Sequence, residues 1–359
     1  MWFKFPAREG APLRPRLRII LPLLWSACAP SEGPPGGGDD DATADSTADT
    51  GDDADTGDSE DSADTADSGG TDAPALLLYV NEMVSDAVRA ELYPSLGAED
   101  AFIVYQWQFD ADGDGAADAG AAAAVAAYLD GVAPVGTTAP VCIDWEADTM
   151  STLYAGDIGS EAFRSAAAVF VDFVEQVRAL RPDLRFGYYG IPVRTYWDRD
   201  AAWHARNDAL LPILDASDVV FPSVYDFYTD ADIAEAEDLS YVRDNVGEAL
   251  RLAGGKDVLP YVWHRYHDSN ATVGGRLIGE DEFKAHVGAV FEAEVEGARA
   301  AGVVWWGADR YFAASGTQPW VDVFAEEVPA GADLDAYLDG LHAERLRWLG
   351  QVLDAAAPG

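Results

Sequence analysis

Residues 141–148 read VCIDWEAD, so Asp144 and Glu146 close an apolar run with only Trp145 between them. In an extended strand, residues i and i+2 point to one face, which puts both carboxyl groups on one side and the indole on the other. Two carboxylates this close do not both ionise readily, so one of them is expected to have a raised pKa. A neutral acid beside an anion is the pairing that glycoside cleavage needs. A D-x-E triplet on a surface loop would have no such meaning, so the weight falls on the elements that precede and follow it.

Those elements alternate. Seven apolar runs of strand length occupy 75–83, 101–109, 139–146, 184–190, 218–225, 257–266 and 302–308. Near-continuous apolar runs mark strands buried on both faces, as in parallel sheets. Helix-length stretches lie between them: AAAAVAAYLDG after the second run, EAFRSAAAVFVDFVEQVRALRP after the third, YVRDNVGEALRLAGG after the fifth and EDEFKAHVGAVFEAEVEGARAAG after the sixth. The second of these must stop at Pro182, and the third ends in a glycine pair suited to a C-cap. PWVDVFAEEV and DLDAYLDGLHAERLRWLGQVLDAA add helices after the last strand. This alternation predicts an α/β fold, a TIM-like (β/α) barrel of about seven parallel strands. The C-terminal strand ends of such a barrel carry its active site, which places Asp144 and Glu146 at the mouth.

The other strand ends add aromatic and polar residues. RFGYYGIP ends in Tyr188 and Tyr189, and FPSVYDFY offers Tyr225, Asp226 and Tyr228. LPYVWHRYHD offers Tyr261, Trp263, His264, Arg265 and Tyr266, and GVVWWGADR offers Trp305 and Trp306. Any one of these aromatics is ordinarily core packing. Four successive strand ends of this kind suit a sugar chain, since aromatic faces stack on sugar rings and phenols bond to their oxygens.

In order, DWE, YYGIP, FPSVY, VLPYVWHRYHD and GVVWWG resemble the hyaluronidases, glycoside hydrolase family fifty-six, over Leu76 to Arg310. The resemblance implies a distorted barrel of about seven strands. It implies Glu146 as proton donor and Asp144 as the acid that orients the substrate N-acetyl group, whose oxygen is itself the nucleophile. Tyr189, Tyr225 and Trp306 match positions lining the subsite around that group, and Tyr261, Arg265 and Asp226 are further substrate-binding candidates. The expected activity is retaining cleavage of β-linked N-acetylhexosaminide polymers: hyaluronan-like, chondroitin-like or neutral. The competing expectation is an inactive barrel that only binds glycan at the cell surface. Two departures keep that alternative in view: ADTM follows DWE where more acid and an arginine are usual, and Val193 and Arg194 replace the family's Asp and Cys.

Charge bears on the polymer. The formal net charge of the 359-residue chain is -41, which disfavours nucleic acid as a partner. A polyanionic substrate would need a local basic cleft, for which Arg194, Arg199, Arg265 and Arg310 lie near strand ends. FDADGDGAAD places Asp110, Asp112, Asp114 and Asp118 at spacing suited to a calcium loop, but Ala121 stands where the bidentate Glu belongs. An Asp-Gly turn reads the same residues without an ion. No other cofactor is expected, because His264 and His267 lack a third ligand nearby.

The N-terminal part is of another kind. Arg8, Arg14, Arg16 and Arg18 precede IILPLLWSA and then Cys28, the layout of an export signal over residues 1–28. SAC followed by a polar stretch resembles a bacterial lipoprotein lipobox, which implies lipidation of Cys28 and a membrane anchor at the outer or cell surface; the alternative expectation is simple secretion. Residues 29–73 contain thirteen Asp and two Glu with no Lys or Arg, a stretch that cannot bury enough apolar surface to fold and reads as an acidic linker. The barrel is then expected over 74–359. The second cysteine, Cys142, sits within an apolar run and is expected to be a buried free thiol.

Overall fold

Strand β1 (Leu77–Asn81) opens the described part of the computed structural model, which covers residues 76–81 and 83–357. The expected export signal, its Cys28 and the expected acidic linker lie outside the described residues. After β1 come β2 (Ala98–Asp100), β3 (Phe102–Tyr105), β4 (Pro140–Asp144), β5 (Arg185–Tyr188), β6 (Val219–Val220), β7 (Asp257–Val258), β8 (Tyr261–Val262) and β9 (Gly302–Trp306). Every ladder between them is parallel.

The pairings form three parallel sheets, ordered β2-β1-β9-β8, β3-β4-β5 and β6-β7, with isolated bridges between them. β9 lies between β1 and β8, and Tyr261 bridges Ser223 beyond β6. Phe221 bridges Tyr189 beyond β5, and β5 pairs with β4, which pairs with β3. β2 returns to β1, and only Ala101 separates β2 from β3, its N–H donating to Val80 O at 3.0 Å. Seven strand positions result, as the seven apolar runs predicted. Two of them are broken for a simple reason. Pro222 and Pro260 have no N–H, so the ladder lapses there, yet both carbonyls still accept, from Tyr261 N at 2.8 Å and Val304 N at 2.9 Å.

Both faces of the strands are buried. Val141, Cys142 and Ile143 have no exposed surface, and Cys142 is a free thiol as expected. Helix α1 (Asp86–Leu96) follows β1, α2 (Ala121–Val132) follows β3, and α3 (Asp148–Ala155) and α4 (Glu161–Leu180) follow β4. The Ser160 side chain caps α4 by accepting from Phe163 N at 3.1 Å, and the helix ends two residues before Pro182. Phe163, Ala166, Phe170, Phe173, Val174 and Val177 form its buried stripe at helical spacing. Trp145 stacks on Phe170 of that stripe at 4.6 Å, so the indole of DWE is committed to the helix side. Burying a side chain of this size contributes about 3 kcal/mol, which fixes the strand's facing.

Helices α5 (Ala201–Asp208), α6 (Leu211–Ala216), α7 (Glu235–Leu252), α8 (Glu280–Glu292), α9 (Asp309–Ser315), α10 (Trp320–Glu327) and α11 (Leu334–Ala356) complete the order. Two details differ from expectation. The helix predicted over 280–302 stops at Glu292, because Val295 and Ala298 close a tight turn on Glu296 and Gly297, both with positive φ. The second apolar run is split, with a short 3-10 turn at Gln106–Gln108 after β3. Among the described residues no helix is long and apolar enough to cross a membrane.

Candidate active site

β4 ends at Asp144, and the chain then passes Trp145 and Glu146 before turning into α3. Trp145 is fully buried, Asp144 is half-buried and Glu146 is exposed. Both acids line one pocket at the C-terminal strand ends, as the strand parity predicted. The pocket has about 930 Å³ of empty space, its open mouth included. Tyr189, Tyr225, Tyr261 and Trp306 line it as well, each from a different strand end. Four of the aromatic candidates thus meet the two acids.

The aromatic wall is ordered by its own contacts. Tyr225 stacks on Trp306 with centroids 5.6 Å apart and planes 15° apart, and Tyr189 meets Tyr261 edge-on at 5.4 Å. The Tyr189 hydroxyl lies 2.9 Å from Ser223 Oγ. Burial pushes the phenols of Tyr189, Tyr225 and Tyr261 above the ordinary tyrosine range, so all three are neutral hydrogen-bonding groups near neutral pH. The Trp306 indole N–H is buried with no acceptor among the described residues.

Other lining residues escaped the sequence reading. β3 gives Ile103 and Tyr105, and α3 gives Met150, Ser151 and Tyr154. The Tyr154 hydroxyl donates to Gly190 O at 3.0 Å. Gly190 has φ +72°, and a Cβ there would lie 2.6 Å from that hydroxyl, so the glycine of YYGIP is required twice over. His267 lines the pocket too. Its Nδ1 accepts from Ser269 N at 3.2 Å, which assigns the ring proton to Nε2. Burial, aided by the Arg194 charge, holds His267 neutral. Next to it, burial and then the Glu146 charge push the Asp268 carboxyl up to about 7. The signal for His267 and Asp268 was only their place after the apolar run of strand six.

Two predicted substrate contacts fall outside the lining. Arg265 is fully buried, with Nε 2.6 Å from Asp309 Oδ1, Nη1 2.7 Å from Gly275 O, and a two-bond grip on Glu327 at 2.7 and 2.9 Å. β8 has ended at Val262, so strand parity no longer applies at Arg265. Asp226 is also buried, with Oδ1 accepting from Tyr228 N at 3.1 Å and Oδ2 lying 3.9 Å from His286 Nδ1. His286 itself bonds Asp238 at 3.0 Å. Of the four arginines expected to form a basic cleft, only Arg194 lines the pocket. Arg199 pairs with Glu237 and Asp244, and Arg310 with Asp335 and Asp339.

The calcium-like loop lies beside the site. Carboxylate oxygens of Asp110, Asp112 and Asp114 fall within 4.8 Å of one another. Asp118 instead accepts from Ala111 N at 2.9 Å. Asp110 receives Gln106 Nε2 and the N–H groups of Gly113, Asp114 and Gly115 at 2.6–3.1 Å, the bonds of an Asp-Gly turn. Thr149 Oγ1 donates to Gly115 O at 2.5 Å, tying this loop to the start of α3 just past Glu146.

Residues 141–326 match the profile of a family described as hyaluronidase. A hyaluronidase of Apis mellifera is 29% identical over 111 residues, which are 28% of this chain and 28% of the relative. Hyaluronidase Tab y 2.0101 of Tabanus yao is 31% identical over 142 residues, 37% of this chain and 38% of the relative. The chain thus spans well under half the length of the curated relatives it matches. The fold is similar to that of bee venom hyaluronidase, with a TM-score of 0.50 at 17% identity over 74% of this chain and 99% of that one.

Proposed function

The chain belongs to the hyaluronidase family, and we propose that it is a retaining glycoside hydrolase acting on β-linked N-acetylhexosaminide polymers. The observation that carries this reading is the meeting of Asp144 and Glu146 with Tyr189, Tyr225, Tyr261 and Trp306 in one pocket. The acetamido sugar sits against Trp306 and Tyr225, whose stacked rings form a rigid wall.

Glu146, exposed at the mouth, reaches the glycosidic oxygen and delivers a proton to it. Asp144, deeper in the pocket, accepts the acetamido N–H and so turns the acetamido oxygen toward the anomeric carbon. That oxygen forms the new bond to C1 as the C1–O glycosidic bond breaks, and the leaving alcohol departs with the proton from Glu146. Water then opens the cyclic intermediate at C1 while the Glu146 carboxylate takes its proton, which restores the enzyme and retains configuration. The protein supplies no nucleophile of its own in this reading, since Asp144 serves the acetamido group and Glu146 the glycosidic oxygen.

The test is hydrolysis of hyaluronan, chondroitin and chitin oligosaccharides by the full chain, followed by reducing-end assay and by NMR of the first-formed anomer. Cleavage with retention is expected, and Glu146→Gln should lower kcat by about 10²–10⁴. Failure to cut any of the three, or a product of inverted configuration, would overturn the proposal.

A further inference from the structure

His286 of α8 reaches back to the segment that follows β6. Its Nε2 lies 2.6 Å from Val224 O, a carbonyl that can only accept, so Nε2 carries a proton. Its Nδ1 faces two buried carboxylates, 3.0 Å from Asp238 Oδ2 on α7 and 3.9 Å from Asp226 Oδ2. The other oxygen of each carboxylate is already held. Asp226 Oδ1 accepts from Tyr228 N at 3.1 Å, and Asp238 Oδ1 accepts from the Tyr196 hydroxyl at 2.6 Å. Asp226 Oδ2 is different: it is buried and takes no hydrogen bond among the described residues.

A proton on Nδ1 does not complete this cluster. It serves Asp238 but is too far from Asp226 to bond it, and it sets two carboxylates against one imidazolium. A divalent metal ion answers both shortfalls. It bonds the Nδ1 lone pair and both carboxylate oxygens at once, and its charge balances two carboxylates beside a neutral imidazole. The three ligand atoms lie within 4.8 Å of one another. Ligands around a tetrahedral zinc ion are roughly 3.4 Å apart, so closure needs only side-chain adjustment. The bond from Nε2 to a backbone carbonyl is the support that a metal-ligating histidine ordinarily has. We propose that Asp226, Asp238 and His286 hold a divalent metal ion of the zinc type, which ties the segment after β6 to α7 and α8. None of the three ligands lines the pocket, so the ion is structural, and the inference stands whether or not the pocket cleaves glycan.

The experiment uses the full chain expressed in zinc-supplemented medium, dialysed against metal-free buffer and assayed for metal by mass spectrometry. One retained zinc per chain is expected. It should be lost in Asp226→Asn, which keeps the acceptor for Tyr228 N, and kept when Asp112→Asn and Asp114→Asn alter the exposed acidic loop. Zinc returned to the stripped wild type at a hundred times Kd should raise Tm by about 5 °C, and that of Asp226→Asn by much less. Cobalt in place of zinc should give the intense visible bands of a four-coordinate site, a readout that needs no variant. Absence of both retained zinc and these bands, equal retention by Asp226→Asn, or loss with the Asp112 and Asp114 pair instead would each overturn the proposal.

Discussion

The segment from Tyr261 to Asp268 supplies two regions of opposite character. Tyr261 and His267 reach the pocket, while His264 and Arg265, between them, are fully buried in an ion network. There Asp309 lies 2.6 Å from Arg265 Nε, 3.1 Å from His264 Nε2 and 3.0 Å from His342 Nε2. Trp305 Nε1 donates to His264 Nδ1 at 3.1 Å, which assigns the other ring proton to the Asp309 side. The network joins β9, α9, α10 and the long α11, and none of its residues is among those lining the pocket. Both regions hold arginine, histidine, aspartate and tryptophan. Residue type therefore does not mark function; what separates them is whether the side chains line the pocket or are packed between helices and strands away from it.

The largest expected effect tests that separation. Arg265→Ala leaves Asp309 and Glu327 facing each other's region without their shared cation, and breaking a buried pair costs about 3–5 kcal/mol. Urea midpoints should fall accordingly, while kcat and KM of the folded fraction stay near wild type. An Arg265→Ala protein of normal stability with a raised KM would break the comparison and return Arg265 to the binding machinery.

A comparable effect, read in the metal-free chain, concerns the buried cluster of Asp226, Asp238 and His286 beside the pocket floor. Burial opposes the charge on His286, but the Asp238 and Asp226 carboxylates outweigh it and push the imidazole up to about 9. Burial pushes Asp226 up to about 8 against the pull of His286. Burial also works to raise Asp238, but the His286 charge holds it below the usual range, so it is ionised throughout the neutral region. With two folded-state values raised, the folded chain binds more protons than the unfolded one, and stability falls as pH rises. The His286 part is present below pH 6.5 and is lost as pH climbs toward about 9; the Asp226 part declines up to about 8. The combined loss between pH 6.5 and 9 should be of order 3–5 kcal/mol. Asp226→Asn with His286→Gln should flatten the upper part of the curve, and the slope ending near 7 from Asp268 should survive. An unchanged slope in the double variant would show that the cluster is not the source.

How much of this was legible follows the reach of local rules. Period-two alternation placed Asp144 and Glu146 together because β4 really is extended up to Asp144, and it sent Trp145 to α4. Arg265 was read only as a strand-end residue, and β8 in fact ends at Val262 before Arg265 enters its buried ion network. Asp226 was legible as a strand-end acid, but its burial depends on Asp238 and His286, which come from α7 and α8. No short-range pattern links those positions. Helices α1, α3, α5, α6 and α9 were also missed; four of them are eight residues or fewer, too short for an apolar stripe to show, and the eleven-residue α1 holds Pro94 and buries only Val88 and Leu92. With α3 went Met150, Ser151 and Tyr154 of the pocket wall.

The smallest expected effect asks whether that missed helix matters to the chemistry. Glu146 is followed at once by Ala147 and then by α3, and the loop of Asp110 to Asp118 packs against this junction. Thr149 Oγ1 donates to Gly115 O at 2.5 Å, and a Cβ placed at Gly115 would meet Ala147 Cβ at 3.5 Å. The loop so acts as a stop behind the segment that carries the proposed acid. Thr149→Val keeps the shape of the side chain but removes the donor, and the cost to stability should be about 1 kcal/mol. If the stop positions Glu146, kcat should fall a few-fold with KM little changed, because a displaced acid weakens proton transfer more than sugar binding. Thr149→Ser, which restores the donor, should recover most of the rate. A Thr149→Val variant that loses stability but keeps full kcat would place this contact with the Arg265 network, as support for the fold and nothing more.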